Sequence, residues 1–512
     1  MKVADLVLLV FGGLAVAQDG AKLASSMVET VKDPIQGGFM TFMTFTLDNQ
    51  PIKALLDTGS SDLTVQRSGS EICKNPVQQC DGGSKTGQVF GAFDAQKAKN
   101  SKGLGVPLDA VFTGGAAFQG EFAEVPFRLG DGNAIDLQTG LIETGNPPPQ
   151  SVLFPVLGIG PVEGESTFRN NGSTYSNLLV RLKEEGQIQR NAFGLYLGHF
   201  QSPDNGSIVW GGFDAAKFDG ELQTVDMEPD LDGNMASFVV SLSSVRMTNI
   251  KDGSGASRSN QKEPLPRRRS GPVRRLSPRH NYKRASEPLS LSQDELQTRH
   301  NYKRASEPLS EDELQKRQLN GNLLRKRKQV VLVDTGDQSL VLPLNVVEFI
   351  AETLEGGPDQ KTGWMRVNCD LIQGMALTVG MGNDAAKINI LLELMVLGPD
   401  FDKDLPEFLN QGRTGRSGGG PGPRGDDADQ DSRGGNTIDG PQGRDGGNGS
   451  RAPGGCLLPI LPIEDGSSLS IFGAPAMQSM YVVFDADSQV LMFGQARLNE
   501  TRTDPRELGP VS

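Results

Sequence analysis

Histidine is almost missing from this sequence, with three in 512 residues: His199, His280 and His300. The last two sit in a low-complexity stretch, so there is no material for a histidine-based metal site or a Ser-His-Asp triad. Cysteine is equally scarce. Cys73, Cys80, Cys369 and Cys456 show no C-x-x-C spacing, which removes zinc ribbons and thioredoxin-like redox centres. An even total, split into one close and one distant pair, is the usage expected of disulfides in an oxidising compartment. After the first 20 residues no apolar run has the length to cross a membrane, and the end NETRTDPRELGPVS lacks the hydrophobic tail of a lipid-anchor signal. The expectation is a soluble product with no membrane anchor, no metal and no cofactor.

What is present begins with a leader. MKVADLVLLVFGGLAVAQDG places Lys2 before an apolar run from Leu6 to Leu14 and a small-residue site at Ala15-Val16-Ala17. This reads as a signal peptide over 1–17, followed by a short N-terminal or pro-segment over 18–37. Secretion to the extracellular space follows, and the triplets starting at Asn171, Asn205, Asn448 and Asn499 fit a secreted glycoprotein. The length predicts two or more globular units.

The net charge of -13 hides a division, because residues 251–328 carry 20 Lys/Arg against 9 Asp/Glu. Within them RHNYKRASEPLS occurs twice, at 279–290 and 299–310, with few apolar residues around it, so a disordered insertion is expected. Tyr282 and Tyr302 are its only aromatics, which argues against nucleic-acid binding. Its Lys-Arg pairs ending at Arg284, Arg304 and Arg317 suit a dibasic processing protease of the secretory pathway, converting a monomer from one chain to two. Residues 411–455, rich in Gly, Asp and Arg without glycine at every third position, read as a flexible loop rather than collagen.

The remainder is mostly strand. GGFMTFMTFTLDNQPIKALLDTG reads as a hairpin broken at Asp-Asn-Gln-Pro, and SIVWGGFD, SFVVSLSSVRMTN and MYVVFDADSQVLMFGQA continue the pattern. Trp210 reads as strand core and His199 as a loop residue. Two helices are expected, in TYSNLLVRLKEEG and LNVVEFIAETLEGG. One motif recurs: IKALLDTGSSDLTV at 52–65 and QVVLVDTGDQSLVLP at 329–343 both run apolar strand, Asp-Thr-Gly, apolar strand. Each is followed, about 101 and 139 residues after its Asp, by an apolar pair and a glycine, Gly158 in VLGIG and Gly473 in SIFGAP. Subtracting the Gly-rich loop makes the halves commensurate, so the chain is two copies of one β-rich plan.

The paired DTGSS and DTGDQ, each with its hydrophobic-hydrophobic-Gly partner, resemble the pepsin-like aspartic proteases, closest in flavour to secreted fungal yapsins and candidapepsins. The resemblance runs from about Gly38 to Leu498, outside the two biased segments. It implies an all-β, bilobal fold with an N-terminal lobe over 38–220, a C-terminal lobe over 221–498 and a polar tail over 499–512. It implies a catalytic dyad of Asp57 and Asp334, supported by Thr58, Gly59, Ser60, Thr335, Gly336 and Asp337. A flap over Phe112, Thr113 and Gly114, and one disulfide per lobe, Cys73–Cys80 and Cys369–Cys456, complete the set. Peptide or protein substrates and pepstatin-type inhibitors would be the partners.

Two carboxyls held together cannot both ionise, so one acts as base on a water while the other donates a hydrogen bond to the developing oxyanion. This sequence departs from the family in three places. Asp337 stands where Ser or Thr follows the second Asp-Thr-Gly, Thr64 where a tryptophan is usual, and Phe112 where the flap has tyrosine. They leave two readings: an aspartic-type endopeptidase with altered pH profile or specificity, or a catalytically weak homologue that binds peptides or inhibitors.

Overall fold

The apolar residues of FMTFMTFTL and QPIKALLD build a hairpin, Phe39–Leu47 against Gln50–Asp57, in register at Phe45 and Ile52; inward and outward residues alternate near its turn, and both strands are buried on both faces away from it. Asp48 and Asn49 make its turn at φ 43° and 66°, the left-handed conformation that Asn and Asp tolerate and that matches the strand twist. The computed structural model describes residues 25–32, 38–74, 78, 80, 90–111, 117–146, 153–200, 206–250, 323–324, 329–359, 362–397, 455–463 and 468–509. Outside them lie the expected leader, the expected flap residues Phe112, Thr113 and Gly114, the expected processing residues Arg284, Arg304 and Arg317, and the Gly-rich stretch up to 454.

Strands dominate, with few short helices, as the all-β reading requires. Both expected helices are present. Leu178–Glu184 buries Leu178, Leu179 and Leu182, but its cap is Asn177, whose side chain accepts from the Val180 N–H, rather than the preceding Ser or Thr. Leu344–Thr353 buries Val346, Val347, Phe349 and Ile350.

Two sheets repeat one wiring. In the first half, Gln50–Asp57 pairs in parallel with Val156–Gly158, which pairs antiparallel with Leu63–Gln66, which pairs in parallel with Ile135–Asn146. In the second, Gln329–Val333 pairs in parallel with Leu469–Phe472, which pairs antiparallel with Leu340–Leu342, which pairs in parallel with Ile460–Pro462. Each acidic turn is thus the link between two strands separated by a third inserted from far along the chain.

A six-stranded antiparallel layer joins the halves, in the order Phe218–Asp226, Val490–Ala496, Met480–Asp485, Ala192–Tyr196, Gly206–Trp210, Ser25–Lys32. The last of these strands also pairs with Phe39–Leu47, fastening the layer to the first sheet. Residues from the expected N-terminal segment are therefore part of the folded body. Trp210 is fully buried there, and its indole N–H donates to Ser26 Oγ at 3.1 Å. Cys73–Cys80 and Cys369–Cys456 are both bonded, one in each half. Among the described residues no helix is long and apolar enough to cross a membrane.

Candidate active site

Both acidic turns sit where a buried strand ends. Leu56 and Val333 lie fully in the core, and the next residue, Asp57 or Asp334, projects into the space between the halves. The inserted strand requires glycine at its end. Gly158 N–H donates to the Asp62 carbonyl at 3.0 Å and Gly473 N–H to the Ser339 carbonyl at 3.0 Å. A Cβ on Gly158 would meet Asp62 backbone at 2.7 Å, and one on Gly473 would meet the Asp337 carbonyl at 2.5 Å, so no side chain fits at either point.

The turns interlock through their threonines. Thr58 Oγ1 donates to the Val333 carbonyl at 2.8 Å and accepts from Thr335 N–H at 3.0 Å. Reciprocally, Thr335 Oγ1 donates to the Leu56 carbonyl at 2.5 Å and accepts from Thr58 N–H at 3.1 Å. All four bonds are buried, where partners are hard to replace. This lock brings together carboxyls 277 positions apart in sequence. The Asp57 carboxyl lies over Gly336, where a Cβ would come within 2.6 Å of its Oδ1, and the Asp334 carboxyl lies over Gly59.

Each carboxyl accepts from the N–H two residues on, Gly59 to Asp57 Oδ1 and Gly336 to Asp334 Oδ1, both at 2.8 Å. Asp57 also accepts from the Ser60 hydroxyl on its other oxygen. Asp334 has no such hydroxyl. Burial first, then the charges of Asp57 and Asp337 and a hydrogen bond with Asp57, hold its carboxyl well above the usual range, against the pull of the Gly336 N–H. Asp337 turns its Oδ1 to Ser339, accepting from the N–H at 2.7 Å and the hydroxyl at 2.5 Å. Its carboxyl is also raised, by burial more than by the Asp57 charge, while the Ser339 donors oppose the rise.

A cleft of about 440 Å³ opens over the pair, lined also by Asp62, Asp109, Val111, Ser166, Arg169 and Asn170. Thr64 is buried behind it with no partner for its hydroxyl. His199 packs its ring on Phe200, 4.6 Å away. Sequence reading passed over Asp62, Glu165 and Tyr175, which form a buried acidic group beside the first turn. The available signal was Asp62 itself, an acid placed directly after DTGSS and immediately before the buried strand Leu63–Gln66. Among the described residues no cluster of ligating side chains could hold a metal ion.

Residues 41–259 match the family model of the eukaryotic aspartyl proteases. Asp57 lies inside that span and Asp334 beyond it, so the second turn stands on its geometry. The probable aspartic-type endopeptidase OPSB of Arthroderma otae is 32% identical over 209 residues, 41% of each chain. The protein of that name from Aspergillus oryzae is 22% identical over 91% of this chain and 70% of its own. Candidapepsin-4 of Candida albicans is 30% identical over 37% of this chain and 42% of its own. The match to the first of these relatives thus spans about two-fifths of its length. Among solved structures, the aspartic proteinase of Irpex lacteus superposes with a TM-score of 0.56 over 94% of this chain and all of its own, at 12% identity, a likeness of fold.

Proposed function

We propose, for a chain that has the fold of the pepsin-like aspartic proteases and matches the eukaryotic aspartyl protease model over residues 41–259, that it is an aspartic endopeptidase acting in acidic surroundings. The observation that carries this reading is the reciprocal seating of Asp57 and Asp334 over each other's glycine, locked by Thr58 and Thr335. Asp334 keeps the shared proton, for the reasons of burial and neighbouring charge given above. Asp57, with both oxygens accepting hydrogen bonds, takes a proton from a water held between the two carboxyls as that water attacks a peptide carbonyl. The protonated Asp334 donates to the oxygen on which charge develops, and no covalent intermediate is needed. Peptides or proteins are the substrates, and the leader and sequons support secretion, with dibasic processing in the 251–328 insertion.

A second reading, a peptide- or inhibitor-binding homologue of low turnover, is favoured by one feature: Asp337 gives its oxygen to Ser339 and supplies no hydroxyl to Asp334. Purified protein incubated with a peptide library at acidic pH separates the two. Cleavage that pepstatin blocks and that Asp57→Asn abolishes establishes the endopeptidase. Tight pepstatin binding without cleavage establishes the binder.

A further inference from the structure

The loop that begins at Asp57 is fastened well beyond Ser60. Ser61 Oγ donates to the Pro161 carbonyl at 2.6 Å. Asp62, almost fully buried, accepts on both oxygens: from the Ser166 N–H at 2.8 Å and from the Tyr175 hydroxyl at 2.6 Å. Tyr175 gives its own N–H to Glu165 Oε2 at 2.8 Å. Glu165 has no exposed surface, and its Oε1 has no hydrogen-bond partner. The short helix Ser166–Asn171 continues from it, presents Ser166, Arg169 and Asn170 to the cleft, and ties to the strand Lys102–Val111 by the Asn170 amide, which donates to the Asp109 carbonyl at 3.0 Å. One set of bonds therefore joins the turn bearing Asp57, the cleft wall and the strand that leads towards Phe112.

An ionised Glu165 does not fit this arrangement, because it would be a buried carboxylate with an unsatisfied oxygen beside a second carboxyl. The charged neighbours give it no relief. Arg169 draws on Asp62, Glu163 accepts from the Met235 N–H, Asp109 is exposed, and Phe122 offers the Tyr175 ring only an apolar face, with centroids 5.7 Å apart. Burial, then the Asp62 charge, pushes Glu165 from its ordinary 4.5 up to about 9, with only the Tyr175 N–H opposing. An acid whose proton is held more tightly in the folded state contributes full stability below 4.5 and loses it progressively as pH rises towards about 9.

We propose that Glu165, Tyr175 and Asp62 are positioning residues for the hydrolysis, a buried protonated brace that fixes the cleft wall against the loop of Asp57 and slackens in alkaline solution. The rate arm of the test rests on the endopeptidase reading, and the stability arm does not. In the full chain, Glu165→Gln keeps the shape and removes the titration. Thermal midpoints of the two proteins, measured from about pH 4 to about pH 9, should diverge in favour of the variant by about 5 °C or more at the alkaline end. Where hydrolysis is measurable, the alkaline limb of kcat should move to higher pH in Glu165→Gln with KM little changed. Tyr175→Phe should lower kcat about tenfold while KM stays within about twofold, since a hydrogen bond to a carboxyl is lost without loss of surface. Parallel midpoint curves overturn the brace. If neither protein cleaves any peptide, the endopeptidase reading fails, and the midpoints still decide the brace. Should the glutamine variant not fold, Glu165→Met removes the same proton and carries the same expectation.

Discussion

Counted from Asp57 and Asp334, the two turns agree in strand pairing and in the N–H that each carboxyl accepts, and disagree in two side chains that have changed places. The first half has Ser60 three residues after its aspartate and Asp62 five after; the second has Asp337 at three and Ser339 at five. In the first, the hydroxyl reaches back to the Asp57 carboxyl and the acid leaves the turn to grip Tyr175 and Ser166. In the second, the acid and the hydroxyl bond to each other, and Asp334 receives a neighbouring charge instead of a hydroxyl donor. Strand pairing makes the carboxyls equivalent in position. The residue after glycine makes them unequal in chemistry, because the Asp337 charge adds to the burial and the Asp57 charge that hold the Asp334 carboxyl above its usual range.

The comparison is broken most severely at the carboxyls themselves. Asp57→Asn and Asp334→Asn should each lower kcat by about 10⁴-fold or more, because groups that act as a unit fail as a unit. A tolerated change at either would mean that one acid works alone. Next come the threonines, where the halves should behave alike. Thr58→Val and Thr335→Val each strand a buried N–H and a carbonyl, and each should destabilise the fold by about 2 kcal/mol in urea unfolding. Values differing by more than about 1 kcal/mol would show that the lock is not shared equally.

The exchanged pair allows a finer test. Asp337→Ser removes from beside Asp334 a charge whose repulsion helps to hold that group's proton on. The alkaline limb of the kcat profile should therefore move to lower pH, read from rates across the bell. A limb that stays in place would mean that Ser339 already masks the Asp337 charge. The smallest effect belongs to Thr64, whose counterpart seven residues after the second aspartate is Val341. Its buried hydroxyl has no partner, so Thr64→Val should raise stability by up to about 1 kcal/mol in the same urea experiment. A loss of stability would reveal a water bonded to Thr64.

Strand content, both helices and the repeated wiring were legible because each depends on local period and on glycines whose need is steric. The meeting of Asp57 with Asp334 was legible only by resemblance, since the lock between turns 277 positions apart is encoded by nothing except two threonines that look ordinary in sequence. The Asn177 cap was missed for a smaller reason: Thr174, Ser176 and Asn177 are all good caps, and which one is used depends on where Gly160 packs, its carbonyl accepting from the Asn177 amide at 2.9 Å. Glu165 was illegible altogether. An acid in VEGESTF reads as solvated surface, and only the third dimension reveals that Tyr175 and Asp62 enclose it.

Two strands that precede the basic insertion are built into sheets completed by residues that follow it. Phe218–Asp226 lies along Val490–Ala496, and Val239–Asn249 lies between Gln329–Val333 and Met375–Met381. The chain also returns to its point of departure, for Leu323 N–H donates to the Val245 carbonyl at 2.9 Å. Order along the polypeptide and membership of a sheet are thus decoupled at this seam. A break in the backbone between 251 and 322 interrupts no described strand pairing, and each fragment carries an edge that the other requires. The seam is a natural point for complementation of separate fragments, because strand pairings on either side of it run from one fragment to the other.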